Sequence, residues 1–398
     1  MPASMTGLQF ASALSTSEPT EDAVAQVITS LRSELWGPAD LVLAFVTPHH
    51  RTQIDTLRQR LREALEPGVL LAVTAGGVIG VRRETEETAG LSVLAARLPG
   101  VELRPFAAAD IEPKLKQDPQ VIRAMLSGSA DSMPRGVVLI ADPFSTPVTS
   151  MLPALTAALP GVPVVGGMAS GARQPGGNRL LLNGDVHTQG FVGVALNGAI
   201  RVDSTVSQGC RPVGKPLVIT KAKRNVVMEL GGRPALHVAR ELLDTVSSED
   251  RELLTSNGWH LGRVINEYKD RFGRGDFLIR GIVGVDPSAG YVAVADTQTR
   301  VGQTVQFHVR DQKSAREDFA LLLEAQKLHG SAGGALLFSC NGRGTNLFSE
   351  PNVDACLVGD ALANMPMAGF FAAGEIGPVG KENFLHGHTA SLAVIRAE

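Results

Sequence analysis

The chain has 398 residues, of which 44% are hydrophobic and 19% are charged, and its formal net charge is −3. This apolar content is enough for two or three globular domains. Lys and Arg are scattered rather than clustered, which argues against nucleic acid as the main partner. The apolar runs are far shorter than the roughly 20 residues of a membrane-spanning helix, so no membrane insertion is predicted.

The N-terminal segment MPASMTGLQFASALS has no charged stretch followed by an apolar one, so we predict no secretion signal and a cytoplasmic protein. The three cysteines are widely separated, which disfavours a disulfide framework and a CxxC metal site. Neither a P-loop, nor a GxGxxG that opens a helix, nor a GxSxG nucleophile elbow is present. We therefore predict no cofactor.

Hydrophobic periodicity predicts mixed helices and strands from the start of the chain. Residues 1 to about 20 are rich in Ser, Thr and Ala and are predicted to be a weakly ordered lead-in to a helix at about 21–35. A buried strand at 41–46, a helix at about 50–65 and a second strand at 69–74 follow. Two more strands, at 91–98 and 101–106, are predicted to pair across Pro99-Gly100.

The same order of elements then returns twice. The second instance has a strand at 136–141, a helix near 148–159, a strand at 162–165 and a hairpin of 191–196 with 199–206 across Asn197-Gly198. The third has a strand at 335–339, a helix at about 352–362, a strand at 369–373, a turn at Glu375 and a final strand at 384–395. This recurrence of strand, helix, strand, Gly-rich turn and strand indicates internally related layered units.

Hairpins are predicted as often as strand–helix alternation, which favours an α+β fold of layered mixed sheets over a doubly wound parallel sheet. Gly231-Gly232-Arg233-Pro234 precedes a predicted helix at about 234–246, so we place the main domain boundary near residue 230. The predicted organisation is a lead-in and helix at 1–36, a domain at 37–230 and a domain at 231–398. Strands at 277–285, 291–295 and 301–309 and a helix at about 314–328 belong to the last domain.

Reactive and turn-forming residues are densest in the stretch GFFAAGEIGPVGKENFLHGHTAS near the C-terminus. Glu375 follows an apolar strand in a Gly-rich turn, and His386, His388 and Thr389 open the last predicted strand. Because Pro378 closes the turn, we expect Glu375 to face a site rather than to cap a helix. The alternative is a Gly-rich turn with a cap-like Glu375 and solvated histidines.

Two further stretches, SQGCRPVG and SCNGRG, each place a cysteine at a strand end beside Gly and Arg. A guanidinium is a permanently charged planar fork, so Arg211 or Arg343 could hold a carboxylate or phosphate and lower the pKa of the Cys210 or Cys340 thiol. The alternative is that both cysteines are small buried hydrophobes and both arginines are structural ion-pair partners. Cys356, on a predicted helix face, is expected in the core.

The motifs SQGCRPVG, SCNGRG, GFFAAGEIGPVG and NFLHGHTAS resemble those of the FIST family, named for F-box and intracellular signal transduction proteins. AVTAGGVIG and VPVVGGMASG resemble Gly-rich turns of its N-terminal domain, so the resemblance covers the chain beyond about residue 35. It implies an N-terminal and a C-terminal FIST domain in tandem and a sensor of small ligands such as amino acids. It also implies a protein signalling partner, because no F-box, kinase, cyclase or receiver segment is recognised.

Three kinds of site remain open. In a binding site for an amino acid or a related polar metabolite, an arginine would hold the carboxylate and Glu375 the ammonium group. A thiol enzyme would need a cysteine beside one of the two C-terminal histidines, and a metal site would use both histidines, at i and i+2 of one strand, with Glu375 or Cys340. We favour ligand binding without a metal and make no prediction of the oligomeric state. The predicted ligand-binding residues are Cys210, Arg211, Cys340, Asn341, Arg343, Glu375, His386, His388 and Thr389.

Overall fold

The computed structural model describes residues 7–129, 131–296 and 299–398. Helices and mixed sheets alternate along the chain, which confirms the predicted α+β class. The helices are α1 (Thr20–Glu34), α2 (Ile54–Leu65), α3 (Ala108–Ile111), α4 (Pro119–Ser127), α5 (Val148–Ala158), α6 (Ala235–Thr245), α7 (Ser248–Asn257), α8 (Gln312–Lys327) and α9 (Val353–Ala361).

Strands make up most of the remaining regular structure, and several have the bounds predicted from the sequence. In chain order they are β1 (Gln9–Ser15), β2 (Leu41–Val46), β3 (Val69–Thr74), β4 (Gly77–Gly80), β5 (Arg83–Glu86), β6 (Leu91–Arg97), β7 (Val101–Ala107), β8 (Gly136–Ala141), β9 (Val164–Met168), β10 (Leu180–Leu182), β11 (Asp185–His187), β12 (Phe191–Gly198), β13 (Ile200–Gln208), β14 (Cys210–Lys223), β15 (Val226–Leu230), β16 (Arg233–Pro234), β17 (His260–Val264), β18 (Phe277–Asp286), β19 (Tyr291–Val294), β20 (Thr304–Arg310), β21 (Gly334–Cys340), β22 (Met367–Ala372), β23 (Glu375–Val379), β24 (Glu382–His386) and β25 (Thr389–Ala397).

The described residues form two compact units. The first contains the chain up to Val206, Phe319–Leu385 and Thr389–Glu398, and the second contains Ser207–Asp318 and His386–His388. The first unit holds three six-stranded sheets, with the orders β1-β6-β2-β3-β10-β11, β24-β23-β9-β8-β12-β7 and β13-β25-β21-β22-β4-β5.

Each sheet of the first unit is built on one parallel strand pair joined through a helix. The pairs are β2 with β3 through α2, β8 with β9 through α5, and β21 with β22 through α9. Gly166 of β9 lies opposite Leu139, and Gly369 of β22 lies opposite Leu337. A Cβ atom at either glycine would be 1.8 Å from the carbonyl oxygen of the opposite leucine. The second and third strand–helix–strand repeats therefore share the same close approach of two backbones. The predicted recurrence of strand, helix and strand is therefore present.

Apolar side chains from different repeats meet in the core of the first unit. The strands LVLAFV and VLLAVT are buried on both faces, as expected for central parallel strands. The ring of Phe45, from the first repeat, lies 6.2 Å from Phe338 and 5.2 Å from Phe370, both from the third repeat. Such aromatic contacts add to the burial that holds sheets together.

Three local predictions were wrong because a tertiary partner decided the structure. Residues 9–15 form the strand β1, which pairs with β6, rather than a weakly ordered lead-in. The β6 and β7 strands do not form a hairpin, because β6 is paired on its two edges with β1 and β2, whereas β7 pairs with β12. The β12 and β13 strands likewise separate, since β12 lies between β7 and β8.

The second unit contains an antiparallel sheet with the order β14-β20-β17-β18-β19-β15-β16, in which β14 also pairs with β15. Six of its strands therefore close on themselves, which leaves few open edges. One face is apolar and packs against α6 and α7, with Leu261, Phe307, Ala239 and Leu254 in one cluster. The strands β14 and β17 and the helix α7 were not predicted from the sequence.

Candidate functional site

Several strand ends of the first unit bring Cys340, Glu375 and Thr389 together. Cys340 ends β21, and Thr389 begins β25, which is the antiparallel neighbour of β21. The two residues therefore lie at the same end of two adjacent strands. The Oε2 atom of Glu375 accepts hydrogen bonds from the Thr389 amide at 3.1 Å and the Thr389 hydroxyl at 2.8 Å. The predicted turn at Glu375 was wrong: this residue begins β23, because the edge of β9 pairs with it at Gly167.

The Glu375 side chain is completely buried. Burial raises its pKa to about 8, although the hydrogen bonds from Thr389 and the Cys340 thiol and the positive charge of Arg343 all act in the opposite direction. Its second oxygen, Oε1, makes no well-aligned hydrogen bond within the described part of the chain. The carboxyl group is therefore held in its protonated, uncharged form near neutral pH.

Arg343 is committed to an ion pair with Asp354, and neither side chain has exposed surface. Nε of the arginine donates to Oδ2 at 2.8 Å and Nη2 donates to Oδ1 at 2.7 Å. The Ser339 hydroxyl donates to the same carboxylate at 2.8 Å, and the Phe348 ring centre lies 5.3 Å from the guanidinium carbon. This two-point contact fixes the loop between Cys340 and α9.

A groove of about 630 Å³ adjoins this loop at Thr345. The Thr345 amide donates to Oε1 of Glu86 at 3.0 Å, and the Ala355 amide donates to Oε1 of Glu84 at 2.9 Å. Oε2 of Glu84 is buried and has no hydrogen-bond partner among residues 7–129, 131–296 and 299–398. The groove is of the size that holds small molecules. Its lining consists of Thr16, Glu18, Arg83, Glu84, Thr85, Glu86, Glu87, Thr88, Ala89, Thr345 and Pro351.

Two carboxyl groups of the groove lining, those of Glu84 and Glu86, have raised pKa values. Burial raises the pKa of Glu84, and the nearby Asp354 carboxylate raises it further. Burial also raises the pKa of Glu86. Gly344, with φ of +54°, lies so close that a Cβ atom there would be 2.5 Å from a Glu86 oxygen, so a larger residue would displace this carboxyl group.

Glu84, Glu86 and Asp354 were missed by sequence reasoning. The segment 82–87 received no assignment from the sequence, and Asp354 was not distinguished from other helix residues. The available signal was the spacing of Glu84 and Glu86, which as alternate residues of a strand point to one face. Ala355 lies 271 positions after Glu84, so nothing local in the sequence relates α9 to β5.

The second unit contains Cys210 and Arg211. Cys210 begins β14 and packs in an apolar cluster with Val264, Phe277 and Ile279. Arg211 forms ion pairs with Asp250 and with Asp311, the latter at 2.8 Å. The guanidinium of Arg211 is therefore engaged by two carboxylates.

His386 and His388 do not share one strand, which corrects the predicted i, i+2 geometry. The strand β24 ends at the buried His386 and β25 begins at Thr389, with His388 in a left-handed conformation at φ of +61°. Nε2 of His388 lies 3.1 Å from Nε2 of His260. Burial, assisted by the His388 imidazole, lowers the pKa of His260 to about 3.

The remaining candidates have clear positions. Asn341 is exposed, and its backbone N–H donates to the Ala372 carbonyl at 2.9 Å. Cys356 is half-buried on α9, so the expectation that it lies in the core was wrong, whereas Cys210 and Cys340 are buried.

Across the described ranges, no group of three or more His, Cys, Asp or Glu residues is arranged to hold a metal ion.

Known protein families and relatives match most of the length of this chain. Residues 40–233 match the FIST N domain and residues 235–378 match the FIST C domain. The chain belongs to the FIST family. FIST domains are associated with sensing in signal transduction, and two relatives of this FIST protein are similar over nearly their whole length.

The uncharacterized protein Rv0628c of Mycobacterium tuberculosis (strain ATCC 25618 / H37Rv) is 40% identical over 385 residues, which cover 96% of this chain and 98% of the relative. The uncharacterized protein Mb0898c of Mycobacterium bovis is 37% identical over 384 residues, 95% of this chain and 96% of the relative. Helices of this FIST protein, where the structure describes them, fall short of the length and apolarity needed to cross a membrane. The domain boundaries near residues 36 and 230 stay predictions.

Proposed function

We propose that this FIST protein is a sensor that binds a small polar ligand in the groove lined by Glu84 and Glu86. The carrying observation is the Glu84 carboxyl group, whose Oε1 is hydrogen-bonded while the buried Oε2 has no partner within the described residues. An unsatisfied buried polar atom costs about 1–3 kcal/mol, and native proteins retain few of them. A hydrogen-bond donor supplied by a ligand would offset this cost once the Glu84 side chain rotates and turns Oε2 towards the groove.

The charges of the groove favour a ligand that carries an ammonium group and a carboxylate. Glu18, Glu86 and Glu87 line it together with Glu84, and carboxylates accept hydrogen bonds from ammonium groups. Arg83 lines the same groove, is exposed, and donates to the Thr16 hydroxyl at 3.2 Å. Its planar guanidinium suits a carboxylate. An amino acid or a related zwitterion fits this combination better than an anion does.

The ligand acts on the rest of the molecule through the loop 340–346. Thr345 donates to Glu86 at the groove, while the same loop begins at Cys340, next to Glu375, and carries Arg343. A ligand that takes over Glu86 as an acceptor would release Thr345 and allow the loop to move. The buried cluster of Cys340, Arg343, Glu375 and Thr389 would then report occupancy to a protein partner. Roles for Cys210, Arg211, Asn341, His386 and His388 stay predictions.

A thermal-shift screen with matched ligands tests this proposal. An amino acid that binds should raise the free energy of unfolding by about 2.7 kcal/mol at a hundredfold excess over its Kd. The amine without the carboxylate should bind more weakly, and the carboxylate without the amine should not bind. Arg83→Gln should weaken the amino acid and leave the simple amine unchanged. If no amine-bearing compound stabilises the protein, the proposal fails.

A thiol enzyme is the second candidate, and the surroundings of Cys340 favour it. The Gly342 amide donates to the sulfur at 3.4 Å, and the Glu375 carboxyl group is a hydrogen-bonding neighbour of the thiol. A hydrogen bond donated to the sulfur favours the thiolate form of Cys340. An enzyme should consume the ligand, and Cys340→Ser should stop turnover while leaving ligand binding intact. A sensor should show saturable binding without consumption.

A further inference from the structure

We propose that the second unit contains a separate binding site for a small amphiphile with an apolar body and one carboxylate, such as a medium-chain fatty acid. The site is a cavity of about 600 Å³ between α6 and the strands β14, β15 and β20. Its volume is within the range of small-molecule sites. It shares no residue with the groove at Glu84, so the inference stands independently of the proposed function.

An interruption of the sheet forms one wall of the cavity. Val213 of β14 is paired with Phe307 of β20, and the next pair is Leu217 with Val305. The intervening residues 214–216 of β14 therefore face the single residue Gln306, whose Nε2 donates to the Gly214 carbonyl at 2.9 Å. Bulges of this kind bend a strand and often lie beside binding sites.

Glycine is required where the bulge approaches α6. Gly214 has φ of +68°, and a Cβ atom there would lie 2.6 Å from Leu242. The bulge thus places the backbone of β14 directly against a helix side chain, with Lys215 at the rim.

The floor and walls of the cavity are apolar but not fully covered. Leu230 and Phe307 are buried, whereas Leu217, Val238 and Leu242 are only half-buried and pack against the hydrophobic core of the unit. On helix α6 only two small residues, Ala235 and Ala239, are buried. An apolar ligand body would remove the half-buried side chains from water, which is favourable in proportion to the apolar area covered.

The charged groups at the rim select an anionic head. Lys215 and Arg233 line the cavity and face a single carboxylate, Glu241. That carboxylate is already shared, because Arg233 and His237 both pair with it. The lining therefore has an excess of positive charge, and a ligand carboxylate complements it, whereas an ammonium head would not.

The first test compares three ligands that share a chain and differ in the head group: decanoate, decanol and decylammonium, titrated calorimetrically into the full-length protein. We expect one saturable decanoate site per chain and no competition by decylammonium. Lys215→Gln should weaken decanoate about twofold to fivefold, the range for an exposed ion pair, and should leave decanol unchanged. Lys223→Gln, an exposed lysine of the same strand outside the cavity, is the matched control. Equal binding of decanoate and decylammonium would overturn the proposal.

The second test fills the cavity. Val238→Trp should abolish binding of both decanoate and decanol, whereas Val218→Trp, at an exposed valine outside the lining, should bind like the parent protein. Circular dichroism establishes that each variant is folded. If Val238→Trp does not fold, Leu242→Ser replaces it as the variant that should weaken the binding of decanoate and decanol. Decanoate binding to folded Val238→Trp with unchanged affinity would overturn the assignment. If Val238→Trp keeps its ligand binding and only its sedimentation differs from that of the parent protein, the ligand site is wrong and the cavity is a contact between two copies of the chain.

Discussion

The Arg343 guanidinium and the Asp354 carboxylate form a two-point ion pair at 2.8 and 2.7 Å, and neither side chain has exposed surface. The pair joins the loop after β21 to the helix α9 that leads to β22. A buried charge without its partner is far more costly than a buried pair. The contact therefore holds the loop at the position where the groove and the Cys340–Glu375 cluster meet.

Asp354→Asn should destabilise the protein by about 3–5 kcal/mol, because it leaves the Arg343 charge buried without a countercharge. The matched control is Asp360→Asn, which removes the partner of Arg82 in an exposed ion pair. That control should cost far less, because solvent screens an exposed ion pair. Urea denaturation of both variants measures the difference. Equal effects of the two substitutions would contradict the structural role given to the buried pair.

Glu375→Gln should change how stability depends on pH. The native carboxyl group has a pKa of about 8 and its ordinary value is 4.5, so between these values the native state holds a proton that the unfolded chain has lost. Stability should then fall as pH rises through this window, with a contribution of up to about 1.4 kcal/mol per pH unit. Glutamine keeps an oxygen for the Thr389 hydrogen bonds and cannot ionise. Unfolding at a series of pH values should show a flatter profile for Glu375→Gln but not for the exposed Glu382→Gln.

The lowered pKa of His260 should make stability change with pH in the opposite direction at acidic pH. Its pKa is lowered from 6.5 to about 3 by burial and by the neighbouring His388, Arg310 and His308. The unfolded state therefore binds a proton that the native state does not, and stability falls as pH decreases from about 6.5 towards 3. His260→Gln should reduce this acid sensitivity, whereas His237→Gln, at an exposed site on α6, should not. Identical acid unfolding of the two variants would contradict the burial of a neutral imidazole.

We expect the order of thiol reactivity to follow exposure rather than neighbouring charge. The sequence indicated that an arginine could lower the pKa of the Cys210 or Cys340 thiol, and it placed Cys356 in the core. In the folded protein Cys356 is the half-buried thiol and the other two are buried. We therefore expect iodoacetamide to label Cys356 first, as measured by peptide mapping after short exposure. Faster labelling of Cys340 would show that its site opens readily and would support thiol chemistry there.

The strand–helix–strand units could be predicted because each is specified by local apolar periodicity. The β2 and β3 strands have the bounds predicted for them, and the apolar stripe of α2 is its buried face. Strand partners could not be predicted in the same way. Pairing of β6 with both β1 and β2 depends on segments far apart in the chain.

The candidate site was predictable only in part for the same physical reason. Glu375, Cys340 and Thr389 stand in strand-end motifs whose polar residues are conspicuous beside apolar strands. Glu84 has no such signal, because its significance comes from burial beside Asp354 and from contact with the Ala355 amide. The burial of Glu84, its raised pKa and its unsatisfied oxygen arise only when the chain has folded.

The most direct test of ligand sensing at the groove is calorimetric titration of amino acids into the parent protein and Glu84→Gln in two buffers of different ionisation enthalpy. Because the pKa of Glu84 is raised, an ammonium group that binds beside it should displace its proton. We predict saturable binding with release of up to about one proton per site. Glu84→Gln should bind about tenfold or more weakly without proton release, and the exposed Glu34→Gln should behave like the parent. Binding of equal affinity and equal proton release in Glu84→Gln would contradict the account.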